Sequence, residues 1–213
     1  MKNVTDRSSN PFGMRPPIDA DPDDDRPVAV FGYGDANADF HVIGDHPGVH
    51  GGKATGVPFT GTESGEAIQD VLRDVGFATG PRDRPTLENC FLSYLHMSRL
   101  PDGHEPTPEE YARHEPFFDA ELRAINAHIL LPVGERATDH VLSEYTTRRH
   151  RLDLEMERLH AREVRGRGFL VVPIRDPSEW DDDGEDREAI RDRLDAIRSR
   201  DYRQTKGVAT LVG

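Results

Sequence analysis

Four short apolar runs govern what this chain can fold into. They are DFHVIG (Asp39–Gly44), NCFLSYLHM (Asn89–Met97), AHILLPVG (Ala127–Gly134) and FLVVPI (Phe169–Ile174). Each is continuous rather than alternating, the mark of a strand buried on both faces. Between them lie segments with helical spacing. In ESGEAIQDVLRDVG, the residues Ala67, Ile68, Val71, Leu72 and Val75 share one face and Gly76 is the stop. Thr107, Pro108 and Glu110 open TPEEYARHEPFFDAELRAIN as a capping box with proline at the first helical position. Pro116, inside that helix, is expected to bend or divide it. ERATDHVLSEY and REAIRDRLDAIRSR supply two more helices, and VAVFGYG reads as a short strand or an extended lead-in. The basic stretch 148–167 reads as a helix, or as a loop carrying a short one. Strand alternating with helix predicts an α/β fold, a three-layer α/β/α sandwich around a central, mostly parallel, four-stranded sheet.

The length suits one domain, expected over residues 27–213. Residues 1–26 contain DADPDDDRP and are expected to form a disordered or loosely attached acidic tail. Acidic residues outnumber basic ones 40 to 27, for a formal charge of −13. Lys2, Lys53 and Lys206 are the only lysines. That balance reads as the heavily hydrated surface of a protein from a high-salt cytoplasm. It argues against unaided attraction to nucleic acid. At molar salt, however, screening lengths shrink to about 3 Å, which leaves a DNA-binding face open. Cys90 is the one cysteine. It excludes an intramolecular disulfide and any cysteine-rich metal or iron–sulfur site. His46 and His50 have i,i+4 spacing, but Pro47 and Gly48 intervene, so neither a metal site nor a cofactor is expected. No apolar run approaches 18 residues and no hydrophobic signal segment is seen, so the expected location is the cytoplasm, with no membrane contact.

Parallel sheets bind ligands at the carboxyl ends of their strands. That rule gathers three loops into one candidate site: GDHPGVHGGKATGVPF (Gly44–Phe59), SYLHMSRLPDG (Ser93–Gly103) and IRDPSEWDDDG (Ile174–Gly184). The first loop is rich in glycine, so that a ligand can approach the bare backbone and its N–H groups.

The order of motifs resembles the uracil-DNA glycosylase superfamily, nearest its family 4 branch. GDHPG (Gly44–Gly48) stands where that branch has G-E-A-P-G, and KATGVPFTG (Lys53–Gly61) where it has K-x-G-x-P-F-x-G. FLSYLHMSRLP then matches a strand ending in Asn with a K-C-R-P segment, and TPEEYARHEPFFDAEL matches the T-P-E-E helix. LPVGERA (Leu131–Ala137) matches L-G-x-x-A, and VVPIRDPSEW stands at the closing H-P-S. The resemblance covers about residues 28–198. It implies hydrolysis of the N-glycosidic bond of a base flipped out of DNA, with DNA as the partner and a monomeric enzyme.

The resemblance also assigns roles. Phe59 is the aromatic residue on which the base stacks, with Tyr94 and Gly44 completing the base pocket. Asp45 is the carboxylate that orients water or balances charge on the sugar, and the adjacent His46 is a second candidate base. Gly48, Lys53, Ser178 and Arg165 are assigned to DNA phosphates, Arg165 because the basic run 148–167 carries suitable charge. Two departures bear on the chemistry. Tyr94 replaces the Asn that reads the edge of uracil, and a phenol cannot make the paired contact of a carboxamide. Asp176 replaces the His of H-P-S, and an ionised Asp opposes departure of an anionic uracil unless it is protonated or does another job. The four cluster cysteines are missing, and two of their aligned positions read Ser98 and His114.

The sequence therefore predicts a divergent uracil-DNA glycosylase-like enzyme of base excision repair, with Asp45, His46 and Asp176 as catalytic residues. An Asp at 176 favours a base presenting an N–H donor, such as a deaminated purine. The alternative is a catalytically silent nucleic-acid or nucleotide binding module on the same fold. A small-molecule hydrolase on the same frame is a third reading.

Overall fold

The structure, a computed structural model, describes Asn3–Val4 and residues 29–200. The strands form where the apolar runs lie. β1 (Asn3–Val4), β2 (Tyr33–Asp35), β3 (Phe40–Gly44), β6 (Cys90–Tyr94), β7 (Ile129–Pro132), β8 (Val164–Gly166) and β9 (Phe169–Val171) make one sheet in the order β1-β2-β6-β3-β7-β9-β8. The four strands β6, β3, β7 and β9 are parallel, and β1, β2 and β8 add antiparallel edges. β4 (Ala78–Thr79) and β5 (Thr86–Leu87) form a separate hairpin. The expected four-stranded parallel centre is therefore present, inside a wider mixed sheet. Asn3–Val4, which fell within the expected tail, pair with β2. The rest of that tail lies outside the described residues.

Side chains alternate along β3 and so divide the core in two. Phe40 and Val42 pack with Ile68, Val71 and Leu72 of α2 (Glu63–Asp74) and with Ile190, Leu194 and Ile197 of α6 (Glu185–Arg198). On the other face Ile43 packs with Phe118 and Leu122 of α3 (Pro108–Ile125) and Val141 and Leu142 of α4 (Gly134–Tyr145). Single turns at α1 (Pro47–His50) and α5 (Met156–Leu159) complete the set of six α-helices among the described residues. The basic stretch 148–167 resolves into a 3-10 turn at Arg149–Arg151, α5 and β8, the loop-like alternative.

β3 and β7 are neighbours, yet the helices that follow them, α2 and α4, cover opposite faces. The carboxyl ends of these two strands thus flank a crevice, the topological switch point of the sheet. Backbone bonds carry the strands to its edge. Val133 donates to the carbonyl of Ile43 at 2.9 Å, and Gly134 donates to that of Ile174 at 2.8 Å. Asp45, Gly134 and Asp176 therefore emerge side by side.

α3 begins with the capping box formed by Thr107 and Glu110, as expected. It is not divided at Pro116. Pro116 and Ala112 both lie on the exposed side, where water can take the carbonyl that proline leaves unpaired, while Phe117 and Phe118 bury the opposite side.

α2 packs its first turn directly on the glycine-rich loop. A Cβ at Gly65 would stand 2.5 Å from the carbonyl oxygen of His50 and 2.8 Å from the carbonyl carbon of Phe59. Gly65→Ala is expected to lower stability by about 1–3 kcal/mol through this overlap, as read by chemical denaturation.

Where the loop after β6 meets α3, the rings of His96 and His114 lie 4.0 Å apart. His114 Nδ1 donates to the carbonyl of Glu110 and its Nε2 accepts from Ser98, both at 2.8 Å. Burial, then the neighbouring His114, push His96 down to about 4, against the opposing pull of Glu110. Burial also lowers His114. His46 and Tyr111 complete the surroundings of His96. The unfolded chain thus takes up protons that the folded chain refuses. Stability from this pair is complete above the ordinary histidine value of about 6.5 and is lost as pH falls toward 4. Between those limits the wild-type chain is expected to lose about 1–3 kcal/mol more than His96→Phe, measured by denaturation at each pH.

Candidate active site

The glycine-rich loop folds around a buried phenol. Tyr94, at the end of β6, accepts from the N–H of Phe59 at 2.7 Å, and its hydroxyl lies 2.9 Å from the carbonyl of His50 and 3.1 Å from that of Gly51. Phe59 is held in the left-handed region at φ 58°, which costs an L residue about 1–2 kcal/mol. Its carbonyl accepts from Gln69 of α2 at 2.8 Å. Both rings are buried, and both press on Gly44, where a Cβ would come within 2.6 Å of Tyr94 and 2.8 Å of Phe59.

Above this layer a cleft of about 570 Å³ opens at the switch point. Asp45, His50, Gly134, Arg136, Arg149 and Asp176 line it, together with Glu135, Asp139, Ser178 and Glu179. Asp45 Oδ1 accepts a hydrogen bond from the hydroxyl of Tyr111 on α3. Oδ2 lies 3.5 Å from Nε of Arg136 on α4, whose guanidinium sits 4.6 Å over the Tyr111 ring. Burial and then the Asp45 carboxylate push the Tyr111 phenol well above its ordinary value, so it stays a donor.

Asp176 faces Asp45 across His50. Its Oδ1 accepts from Ser64 Oγ at 2.8 Å and from Ser178 N and Oγ at 2.9 and 2.7 Å. Its Oδ2 accepts from His50 Nε2 at 3.0 Å. Burial works against the charge, and the bonds from His50 and Ser178 outweigh it, holding the carboxyl well below the usual range. Asp176 is therefore ionised, not the protonated acid that departure of an anionic base requires. His50 is almost fully buried, and its Nδ1 accepts from the N–H of Asp45 at 3.1 Å. Its network assigns the Nε2–H tautomer.

Of the residues singled out from the sequence, Asp45, Asp176 and Ser178 line this one opening. The structure does not bring the others there. His46 caps α1: Nδ1 accepts from Gly48 N at 3.1 Å, and Nε2 bonds Glu105 at 2.9 Å. With both nitrogens used inside the fold, it has no lone pair for a substrate proton. Phe59, Tyr94 and Gly44 lie beneath the cleft and do not line it. Gly48 is exposed on α1, and Lys53 pairs with Asp102 at 3.0 Å. Arg165 sits opposite Leu170, itself paired with Ile129 at the start of β7. At about 3.3 Å per residue, roughly 20 Å of chain separates Leu170 from Asp176, so Arg165 belongs to the far end of the sheet. The arginines that do reach the cleft are Arg136 and Arg149, the latter paired with Asp139.

His50, Tyr111 and Arg136 escaped sequence reasoning because their partners are remote in the chain. Asp176 and Ser178 carried a local signal, the spacing of a side chain that caps its own turn.

The iron–sulfur cluster of the family 4 branch does not fit this chain. Ser98 and His114 bond each other, and Cys90 is buried within β6. No group of three or more His, Cys, Asp or Glu among the described residues is placed to hold a metal ion. No helix among them is long and apolar enough to cross a membrane.

Comparison with known proteins agrees with the fold. The Type-5 uracil-DNA glycosylase of Thermus thermophilus is 30% identical over 129 residues, 58% of each chain. That of Pyrobaculum aerophilum is 31% identical over 121 residues, 55% of this chain and 53% of its own. The Type-4 uracil-DNA glycosylase of Thermotoga maritima is 29% identical over 112 residues, 53% of each. The chain spans about half the length of the curated relatives it matches. The family profile described as the Uracil DNA glycosylase superfamily matches residues 31–192, from the start of the sheet to the middle of α6. Because that match spans residues 31–192, well over half of the sequence, the chain belongs to the uracil-DNA glycosylase superfamily.

Proposed function

We propose that this chain is a divergent DNA N-glycosylase that accepts a flipped, damaged base in the cleft and hydrolyses its bond to the sugar. The observation that carries this reading is Asp45, a carboxylate anchored at one oxygen by Tyr111 and facing a cleft large enough for a nucleotide. A water held by Asp45 adds its oxygen to C1′ of the sugar while the bond from C1′ to the base nitrogen breaks. The bonding electron pair leaves with the base, and the proton lost by water passes to Asp45. The carboxylates around the cleft favour the positive charge that grows on the sugar.

Asp176 supports a particular leaving group. A fixed anion at this position repels a base that departs as an anion, as uracil does. A purine can take a proton on its five-membered ring and depart neutral. Hypoxanthine and xanthine are thus the favoured bases, in DNA bound by a monomeric protein in a high-salt cytoplasm. His50 acts as a brace, because its two nitrogens tie the Asp45 backbone to the Asp176 carboxylate.

The binding-module reading is supported by a different observation. Both oxygens of Asp45 are already engaged, and Tyr94 fills the space beneath the cleft. The two readings separate in one assay. The protein, kept in molar KCl, is incubated with oligonucleotides carrying uracil, hypoxanthine or xanthine, and abasic sites are revealed by alkali. The expected result is release of a deaminated purine, with uracil retained. Asp45→Ala should lower the rate by about 10²-fold or more. DNA binding without release, unchanged in Asp45→Ala, would favour the binding module. No DNA affinity at any salt would favour a small-molecule hydrolase.

A further inference from the structure

Arg136 is engaged in a way that suits exchange. It stands 3.5 Å from Asp45 Oδ2, beyond ordinary hydrogen-bond length, while Tyr111 donates to Oδ1. Its side chain is 57% exposed, so the pair is held at solvent rather than locked in the core. Space flanks it on both sides. It lines the main cleft and also a second cavity of about 260 Å³, walled by Leu95, Ala112, Phe118 and His140. The guanidinium can therefore swing about the Tyr111 ring without repacking. A phosphate offers two oxygens to the planar fork of the guanidinium and competes directly with one carboxylate oxygen 3.5 Å away.

We propose that Arg136 masks Asp45 in the free protein and transfers to a backbone phosphate when DNA binds, which uncovers Oδ2 for water. Tyr111 is the positioning residue that keeps Asp45 in place through the exchange. The arrangement makes DNA its own activator. A damaged nucleoside lacks the phosphate, leaves Arg136 on Asp45 and is a poor substrate even if its base fits. This rests on the proposed function for its hydrolytic half. The phosphate half stands on geometry alone.

The test compares wild type, Arg136→Ala, Arg136→Lys and Tyr111→Phe. Oligonucleotide binding is followed by fluorescence anisotropy across a salt series. Base release is measured from a hypoxanthine oligonucleotide and from free deoxyinosine. Arg136→Ala should flatten the slope of log affinity against log salt by about one. It should also raise KM for the oligonucleotide about tenfold and speed deoxyinosine hydrolysis about tenfold. Arg136→Lys should restore the slope. Tyr111→Phe should lower kcat about tenfold with KM and slope unchanged. An unchanged slope in Arg136→Ala, or slower nucleoside hydrolysis, overturns the exchange. Tyr111→Phe indistinguishable from wild type overturns the positioning role. A wild-type chain that releases no base overturns the proposed function and the unmasking with it, while the salt slope still decides whether Arg136 reaches phosphate.

Discussion

The carboxyl end of the sheet depends on one buried imidazole. His50 accepts from the backbone of Asp45 and donates to the side chain of Asp176, so it joins the loop after β3 to the loop after β9. His50 itself is almost fully buried, so losing either partner would leave one of its ring nitrogens without its bond. Asp176 completes the tie by reaching Ser64 at the start of α2. Three separate segments are thereby fixed relative to one another by a single charge, and Asp176 stays ionised because it is the shared acceptor. In this arrangement Asp176 is structural and electrostatic at once. Under the proposed function, the charge that holds the loops together would also disfavour an anionic leaving group.

The same economy explains the glycine-rich loop. Its bare backbone reads in sequence as room for DNA, yet much of that room is taken by the protein itself. The rings of Tyr94 and Phe59 fill the space over Gly44, and at Gly51, with φ 89°, a Cβ would meet the carbonyl oxygen of Thr60 at 2.2 Å. Gly61 is different: nothing lies within 4 Å of a Cβ there, although its φ of 71° still favours glycine. Tyr94 is the reason for the crowding. Its phenol reaches across the loop to three backbone groups, of Phe59, His50 and Gly51, and gives the cleft a rigid floor.

The architecture was legible because it follows from local pattern. Continuous apolar runs became the parallel strands, Thr107 and Glu110 capped α3, and strand ends pointed to the end of the sheet where the cleft opens. The site was legible only where a single loop encodes it. Asp45 and Asp176 follow strands directly, and Ser178 is two residues from the carboxylate it caps. His50 and Asp176 are 126 positions apart, and Tyr111 and Asp45 are 66 apart, so no spacing in the sequence links either pair. The basic stretch misled for a related reason. Charge counted along the chain says nothing of which end of a strand carries it, and the register of β8 sends Arg165 away while Arg149 reaches the cleft.

Under the proposed function, the cleft also bears on how so acidic a chain would hold DNA. Its two arginines are already paired with carboxylates, Arg136 with Asp45 and Arg149 with Asp139. A phosphate therefore gains each arginine only by displacing an internal partner, and the five carboxylates of the lining repel it. Salt changes the balance. With a screening length of about 3 Å at molar ionic strength, the distant carboxylates lose most of their repulsion, while contacts at hydrogen-bond distance keep more of their strength. Short-range exchange of arginine partners is thus favoured where long-range attraction is absent. On that proposal, binding would rest on contact geometry and on the fit of the flipped base rather than on the field of the whole protein. That is a workable basis for recognition in a chain with a formal charge of −13.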